Sequence, residues 1–140
     1  PREGYLHVIP EIIERINKKV DPFPIFGADD TRSFCYIDDA IMAIQKVMES
    51  KKTDGGTYHT GTHEETVIKD LIEMMFSIMK WHPKKLDIKN SPEGSVKRRL
   101  ADVSKIKKEI GWKAKIPLQK GLEKIIKWYL AHPQKDSKKT

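Results

Sequence analysis

Residues 23–39 read FPIFGADDTRSFCYIDD, and this stretch contains both kinds of element that the fold combines. Two runs of β-type residues, 23–26 and 33–37, flank a polar connection in which Gly27 permits a positive φ and aspartates favour a turn. Asp38 then stands where an N-cap is expected, directly before apolar residues at helical spacing. The pattern predicts a hairpin-like pair of short strands followed by a helix.

Arg32 lies at the start of the second run, beside the aromatic residues Phe34 and Tyr36. A guanidinium group offers several donors in a rigid fork, and these pair well with phosphate oxygens. A strand that begins with arginine and continues with aromatic residues therefore suits a phosphorylated ligand that carries a ring. A solvated or ion-paired surface arginine is the alternative that this stretch leaves open.

Outside this stretch, helical patterns alternate with short β-type runs. Apolar residues at helical spacing predict five helices, at about 9–20, 38–50, 67–81, 103–110 and 118–130. Further short strands are expected at 57–60 and 85–89. Because these strands are too short and too far apart for a doubly wound sheet, we expect a mixed α/β fold. In it, small paired sheets lie against a helical layer, without a complete Rossmann fold.

The composition is that of a soluble globular domain, and 140 residues are enough to bury a core. No apolar run approaches the roughly 20 residues that span a bilayer, so no membrane partner is expected. The single cysteine, Cys35, excludes an internal disulfide and a cysteine-based zinc site, and it fits a cytoplasmic location. No GxSxG, P-loop or GxGxxG motif is present. The adjacent carboxylates at 38–39 and 64–65 are expected to cap helices or lie on the surface.

The net charge of +7 indicates an anionic partner, which could be a nucleic acid, an acidic membrane or a phosphorylated small molecule. A second basic site, KRR at 97–99, follows a loop that contains Pro92 and Gly94. It could converge with Arg32 on one diphosphate, or the two sites could be unrelated surface arginines. A small basic nucleic-acid-binding module remains the alternative, although no motif of that class is recognised.

The order of motifs along the chain resembles the C-terminal half of the extended short-chain dehydrogenase/reductase family. The motifs are PR at 1–2, HVIP at 7–10, PIFG at 24–27, TRSFCYIDD at 31–39, YHTG at 58–61, RRLAD at 98–102, IGW at 110–112 and LQKGL at 118–122. Members of this family include NAD-dependent epimerases, dehydratases and decarboxylases that act on nucleotide sugars. The resemblance covers nearly the whole chain.

In that family the N-terminal half is a Rossmann domain, which holds the glycine-rich NAD loop and the catalytic Tyr-xxx-Lys pair. Both are missing from this sequence. The resemblance therefore implies that residues 1–133 are the substrate-binding domain of an epimerase or dehydratase acting on a UDP- or GDP-sugar. The polar residues 134–140 are expected to be a disordered tail. NAD(P) would be bound mainly by the Rossmann half, and the complete enzyme would be a homodimer. The chain alone would bind no cofactor, hold no catalytic residue and be inactive.

The resemblance also implies a substrate site with two arginines. Arg32 matches a family arginine on the diphosphate of the nucleotide sugar. Arg99 is the better match for a second one, with Arg98 as its alternative because the length of this loop varies between members. A non-catalytic domain that kept the scaffold and lost the chemistry is a further possibility.

Four other positions are implied to meet the substrate. Pro24 and Phe26 match positions where backbone and ring contact the base. His7 matches a position often held by asparagine that reaches the phosphates, so histidine is a departure there. Val8 would offer its backbone amide nearby.

Overall fold

A computed structural model describes residues 7–132, and this part of the chain contains five α-helices and five short strands. The helices are α1 (Val8–Asn17), α2 (Ile37–Glu49), α3 (Ile68–Met79), α4 (Ser104–Ile110) and α5 (Leu118–Ala131). The strands are β1 (Phe23–Phe26), β2 (Thr31–Arg32), β3 (Thr66–Val67), β4 (Leu86–Lys89) and β5 (Arg98–Arg99). The motif at 1–2 and the predicted tail at 134–140 lie outside the described residues.

The predicted mixed α/β class is confirmed, and the five helices begin and end within about three residues of their predicted positions. Local signals set these boundaries. Helix α4 ends where Gly111 adopts a left-handed φ of 65° and its N–H donates to the carbonyl of Lys107. Pro117 fixes the backbone directly before α5. None of the described helices is both long enough and apolar enough to cross a membrane.

The strands form two small sheets. Strand β1 pairs in parallel with β4, from Phe23 opposite Leu86 to Phe26 opposite Lys89. Strand β2 lies in the middle of the second sheet, antiparallel to β3 and parallel to β5. Both sheets therefore depend on partners that are distant in sequence.

The predicted hairpin is wrong, because β1 and β2 belong to different sheets. Between them, Gly27 takes a φ of 61° and its carbonyl accepts a hydrogen bond from Asp30 N at 2.9 Å. A Cβ at Gly27 would lie 2.5 Å from Ser91 Oγ and 2.6 Å from an Asp30 carboxylate oxygen, so this turn requires glycine. Residues 33–36 form no strand, because the chain leaves the sheet after Arg32 and enters α2.

Two further local predictions are corrected. Residues 57–60 have strand-type side chains but form no strand, because no other described segment pairs with their backbone. Asp38 is not the N-cap of α2; that position is taken by Tyr36, without a side-chain hydrogen bond. Its neighbour Asp39 does not lie on the surface as expected but is buried, and its Oδ2 accepts hydrogen bonds from the backbone N–H of Lys115 at 3.0 Å and Ile116 at 2.8 Å.

The main hydrophobic core lies between α1, α3, α5 and β1. Phe23 is fully buried in it and meets Phe76 edge to face, with ring centroids 5.0 Å apart. A second cluster of Ala43, Ile106 and Trp112 fixes α2 against α4. Burial of each large apolar side chain contributes about 1.5–3 kcal/mol, so these clusters hold the helices that surround the site.

Candidate functional site

A cavity of about 730 Å³ opens between the start of α1, the ends of β1 and β2, and one face of α5. The basic side chains in its wall come from the second sheet. The apolar part of its wall comes from α5 and the segment before it, from the start of α1 and from residues 34–37. The cavity therefore has a cationic region and a region suited to an apolar or planar group.

Arg32 lies in the cavity wall and is held by the protein on several sides. Its Nη1 donates to the carbonyl of Thr31 at 2.7 Å and to that of Lys97 at 3.2 Å. Its Nη2 lies 3.5 Å from Oδ2 of Asp30, a buried carboxylate that also accepts from Ser91 Oγ at 2.9 Å. These contacts fix the plane of the guanidinium before any ligand arrives, which reduces the entropy lost on binding an anion.

The register of β5 separates its two arginines. Arg99 lies opposite Arg32 and Arg98 opposite Thr31, and successive side chains of a strand point to opposite faces. Arg99 lines the cavity with Arg32. Arg98 does not line it; its Nε and Nη2 donate to the two carboxylate oxygens of Glu65, at 2.8 and 2.9 Å. Of Arg98 and Arg99, therefore, only Arg99 lies with Arg32 in the cavity wall.

The N-terminal end of α1 also borders the cavity, through His7 and Val8. His7 is the N-cap, and its side chain makes no capping hydrogen bond. The first backbone N–H groups of a helix lack partners within the helix and carry the positive end of its dipole. This end of α1 therefore adds to the positive potential of the arginines.

Phe26 and Pro24, both on β1, have different positions relative to the cavity. Phe26 is the last residue of β1 and lines the cavity; its ring has Arg15 and Lys89 within 6 Å of its centroid, at 5.8 and 5.6 Å. Pro24 does not line the cavity, and its carbonyl accepts a hydrogen bond from Arg15. The cavity begins at the end of the strand, two residues beyond Pro24.

The sequence did not indicate the apolar wall. Leu122 and Ile125 of α5 line the cavity, whereas their helical spacing alone indicated only a core-facing stripe. Gly121 was the available signal, because a glycine inside a helix usually has a packing reason. A Cβ there would lie 3.1 Å from the ring of Tyr36, another lining residue.

The described residues were compared with what a metal ion, a cysteine nucleophile and a dinucleotide would each require. No group of three or more His, Cys, Asp or Glu among residues 7–132 could hold a metal ion. Cys35 lines the cavity, but burial, and secondarily the nearby Asp39 carboxylate, raise the pKa of its thiol, which disfavours the thiolate nucleophile. Gly27 follows a strand but leads to another strand rather than to a helix N-terminus, so this turn does not fit the pyrophosphate of NAD.

Comparisons with a family model and with curated proteins indicate the same family. The sequence model of the family described as GDP-mannose 4,6 dehydratase matches residues 1–125. The chain is 31% identical over 131 residues to a probable GDP-L-fucose synthase 1 from Oryza sativa subsp. japonica, covering 89% of this chain and 38% of that protein. It is 30% identical over 121 residues to dTDP-glucose 4,6-dehydratase from Salmonella typhimurium, covering 81% and 33%.

Solved structures agree with this. The UDP-glucose 4-epimerase of Thermotoga maritima, determined with UDP-glucose, matches with a TM-score of 0.81 and 25% identity, over 92% of this chain and 41% of that one. The UDP-glucuronic acid 4-epimerase of Bacillus cereus, in complex with UDP-glucuronic acid and NAD, matches with a TM-score of 0.77 and 29% identity, over 91% and 42%. The chain thus spans well under half the length of these relatives.

Proposed function

This chain belongs to the GDP-mannose 4,6-dehydratase family of extended short-chain dehydrogenases/reductases, and from that premise we propose that it is the part of such an enzyme that binds the nucleotide sugar. One observation carries the proposal: Arg32 and Arg99 lie in register on adjacent strands and line the same cavity. Two guanidinium groups on one side of a cavity match the charge of a diphosphate better than that of a single phosphate.

The rest of the cavity suits the two ends of such a ligand. The positive end of α1 favours the phosphates. The ring of Phe26 and the apolar side chains of α5 offer surface to a base or to a sugar. The side chain of His7 and the backbone amide of Val8 stand at the phosphate end, which supports the positions implied for them.

The chemistry of the whole enzyme would be completed outside this chain. NAD(P) would supply hydride transfer from a site on an N-terminal Rossmann part, which the relatives' greater length accommodates. Within this chain, the role of the cavity is to bind the diphosphate and orient the sugar toward that part. Epimerase, dehydratase and decarboxylase activities all need this orientation, so the cavity does not choose between them. That the complete enzyme is a homodimer, and that it lies in a reducing compartment, both stay predictions.

An exposed apolar face on helix α2 supports the presence of a Rossmann part in the same polypeptide. Its apolar residues Ile37, Ile41, Ile44 and Met48 follow helical spacing and are all more than half exposed. Apolar surface of this extent on one helix face is typical of an interface. We propose that the N-terminal Rossmann part packs on it.

Isothermal titration calorimetry of UDP-glucose, GDP-mannose and a short DNA tests the proposal. Arg32→Ala should weaken sugar-nucleotide binding by roughly 1.5–3 kcal/mol, the range for hydrogen bonds to charged groups, and Arg99→Ala by a similar order. The double variant should lose less than the sum, because both side chains bind one ligand. Arg32→Lys should recover only part of the loss, because an ammonium group lacks the planar fork.

Lys108→Ala, an exposed cation outside the cavity, is the control and should bind as the parent does. In a longer protein that includes the Rossmann part, NAD affinity should hardly change in any of these variants. Unchanged sugar-nucleotide binding by Arg32→Ala would show that the proposed site is wrong. Salt-steep DNA binding without a sugar-nucleotide response would favour the nucleic-acid alternative instead.

A further inference from the structure

Glu65, which directly precedes β3, joins two strands on the side of the sheet opposite the cavity. Its carboxylate accepts hydrogen bonds from Nε and Nη2 of Arg98 on β5, at 2.8 and 2.9 Å. It also accepts from the hydroxyl of Thr31 on β2. These hydrogen bonds, that from Arg98 first and that from Thr31 second, lower the pKa of Glu65, so the carboxylate is charged at neutral pH.

Strand β5 has little else to hold it in place. It is two residues long, and both of its residues are exposed. Beyond its ladder, two hydrogen bonds reach the residue before it: the N–H of Thr31 donates to the carbonyl of Lys97 at 2.8 Å, and Arg32 Nη1 donates to the same carbonyl at 3.2 Å. The run 97–99 also places three cations side by side, which repel one another unless an anion lies close by. Glu65 supplies that anion and a bidentate contact, so it offsets the repulsion and restrains the strand.

From this geometry we propose that Glu65 is a positioning residue, which sets the distance between Arg99 and Arg32 by clamping Arg98 to Thr31. In the parallel register, Arg98 lies opposite Thr31 and Arg99 lies opposite Arg32. Holding the first pair on one face therefore fixes the second pair on the other face. This inference rests on the proposed function, because it gives Arg98 and Glu65 a role in diphosphate binding without contact to the ligand.

The first arm of the test needs no ligand. Hydrogen exchange of backbone amides is measured for the parent chain, Glu65→Ala, Glu65→Gln and the control Glu64→Ala. We expect the Thr31 amide to exchange faster in Glu65→Ala, because its acceptor is the carbonyl of Lys97. The Lys69 amide, which donates to the carbonyl of Ala28 at 3.0 Å, should be unaffected and reports that the fold is intact.

The second arm measures binding of UDP-glucose, GDP-mannose and inorganic pyrophosphate. Glu65→Ala should weaken binding by roughly threefold to tenfold, in the lower part of the range of coupling within one hydrogen-bond network. Glu65→Gln should recover part of the loss, because its amide oxygen still accepts a hydrogen bond, whereas Glu64→Ala should match the parent. In an Arg99→Ala background, Glu65→Ala should cause no further loss, because Glu65 acts through Arg99.

Unchanged exchange of Thr31 in Glu65→Ala would overturn the inference. An equal loss of binding with and without Arg99 would also overturn it, because Glu65 would then act by another route. If Thr31 exchange responds and the parent binds none of the three ligands, the clamp is supported and the proposed function fails. The two failures are therefore distinguishable.

Discussion

At the scale of single residues, the site depends on side chains that hold other side chains in place. Asp30 and two backbone carbonyls restrain Arg32, and the missing side chain of Gly121 leaves room for the ring of Tyr36. Lys124 also lies against that ring, with Nζ 4.8 Å from the ring centroid. Two residues of α5 thus set the position of Tyr36 in the cavity wall.

Gly121→Ala is expected to separate stability from binding. Alanine favours a helix over glycine by about 1 kcal/mol, so the melting temperature should stay the same or rise. The new Cβ would lie 3.1 Å from Tyr36 Cδ2, so the ring must shift, and this ring lines the cavity. Sugar-nucleotide binding should weaken by roughly threefold to tenfold, a coupling between neighbours. The same substitution in a Tyr36→Leu background should have no such effect, and Lys120→Ala on α5 serves as the control.

His82 makes stability depend on pH. The carbonyl of Pro83, at 3.0 Å from Nδ1, and then the carboxylate of Glu73, at 3.1 Å from Nε2, raise the pKa of its ring. A raised pKa in the folded state means that the protonated ring stabilises the fold below the ordinary histidine pKa of about 6.5. This contribution is lost as the pH rises through the raised value.

The free energy of unfolding should therefore fall as the pH rises from the ordinary histidine pKa through the raised pKa of His82, and Glu73→Gln should reduce the fall. Proton NMR titration of His82 provides the direct measurement. A titration midpoint at or below the ordinary histidine value would contradict this assignment.

At the scale of elements, helices could be predicted from sequence and strand pairing could not. The signals for α4 and α5 are local: apolar residues at helical spacing, Gly111 after one helix and Pro117 before the other. The partners of β2 lie in segments far along the chain, and no periodicity specifies which segments pair. The same limit applied to the site. The resemblance favoured Arg99 over Arg98, but the residues alone did not separate them, because only the register with β2 shows which of them faces the cavity.

Asp39 connects two elements, and its removal should destabilise the chain. Its carboxylate accepts the backbone N–H groups of Lys115 and Ile116 just before α5, so Asp39→Ala would leave two donors without this partner. We expect a loss of roughly 1.5–3 kcal/mol in the free energy of unfolding, measured by urea denaturation. Asp39→Asn should lose less, because its amide oxygen still accepts. Asp38→Ala changes an exposed neighbour and should stay within about 0.5 kcal/mol of the parent. Equal effects of the two alanine variants would contradict the role of Asp39.

At the scale of the whole molecule, two unusual features lie close together in the sequence. The outer face of α2 exposes four large apolar side chains, and residues 57–60 have strand-type side chains without a strand. Isolated domains rarely expose so much apolar surface on one helix. Both features are accounted for if the chain folds against a further part of the protein, with the apolar face of α2 in the interface. The known relatives, of which this chain covers 41% in the UDP-glucose 4-epimerase, are long enough to include such a part.

The double variant Ile41→Lys/Met48→Lys tests this arrangement, because it has opposite consequences in two settings. In the chain alone both side chains are exposed, at 54% and 79%, so the melting temperature should hardly change. Binding of a hydrophobic dye, and any self-association seen by light scattering, should decrease. In a longer protein that includes the Rossmann part, the same variant would bury two lysines in the interface. Since full burial of each original side chain contributes about 1.5–3 kcal/mol, stability there should fall by at least about 2 kcal/mol.

Leu130→Lys, at an apolar position on α5 that is 50% exposed, is the matched control and should change neither quantity. A parent chain that is strictly monomeric and binds no dye, or a longer protein that tolerates the double variant, would show that α2 does not form this interface.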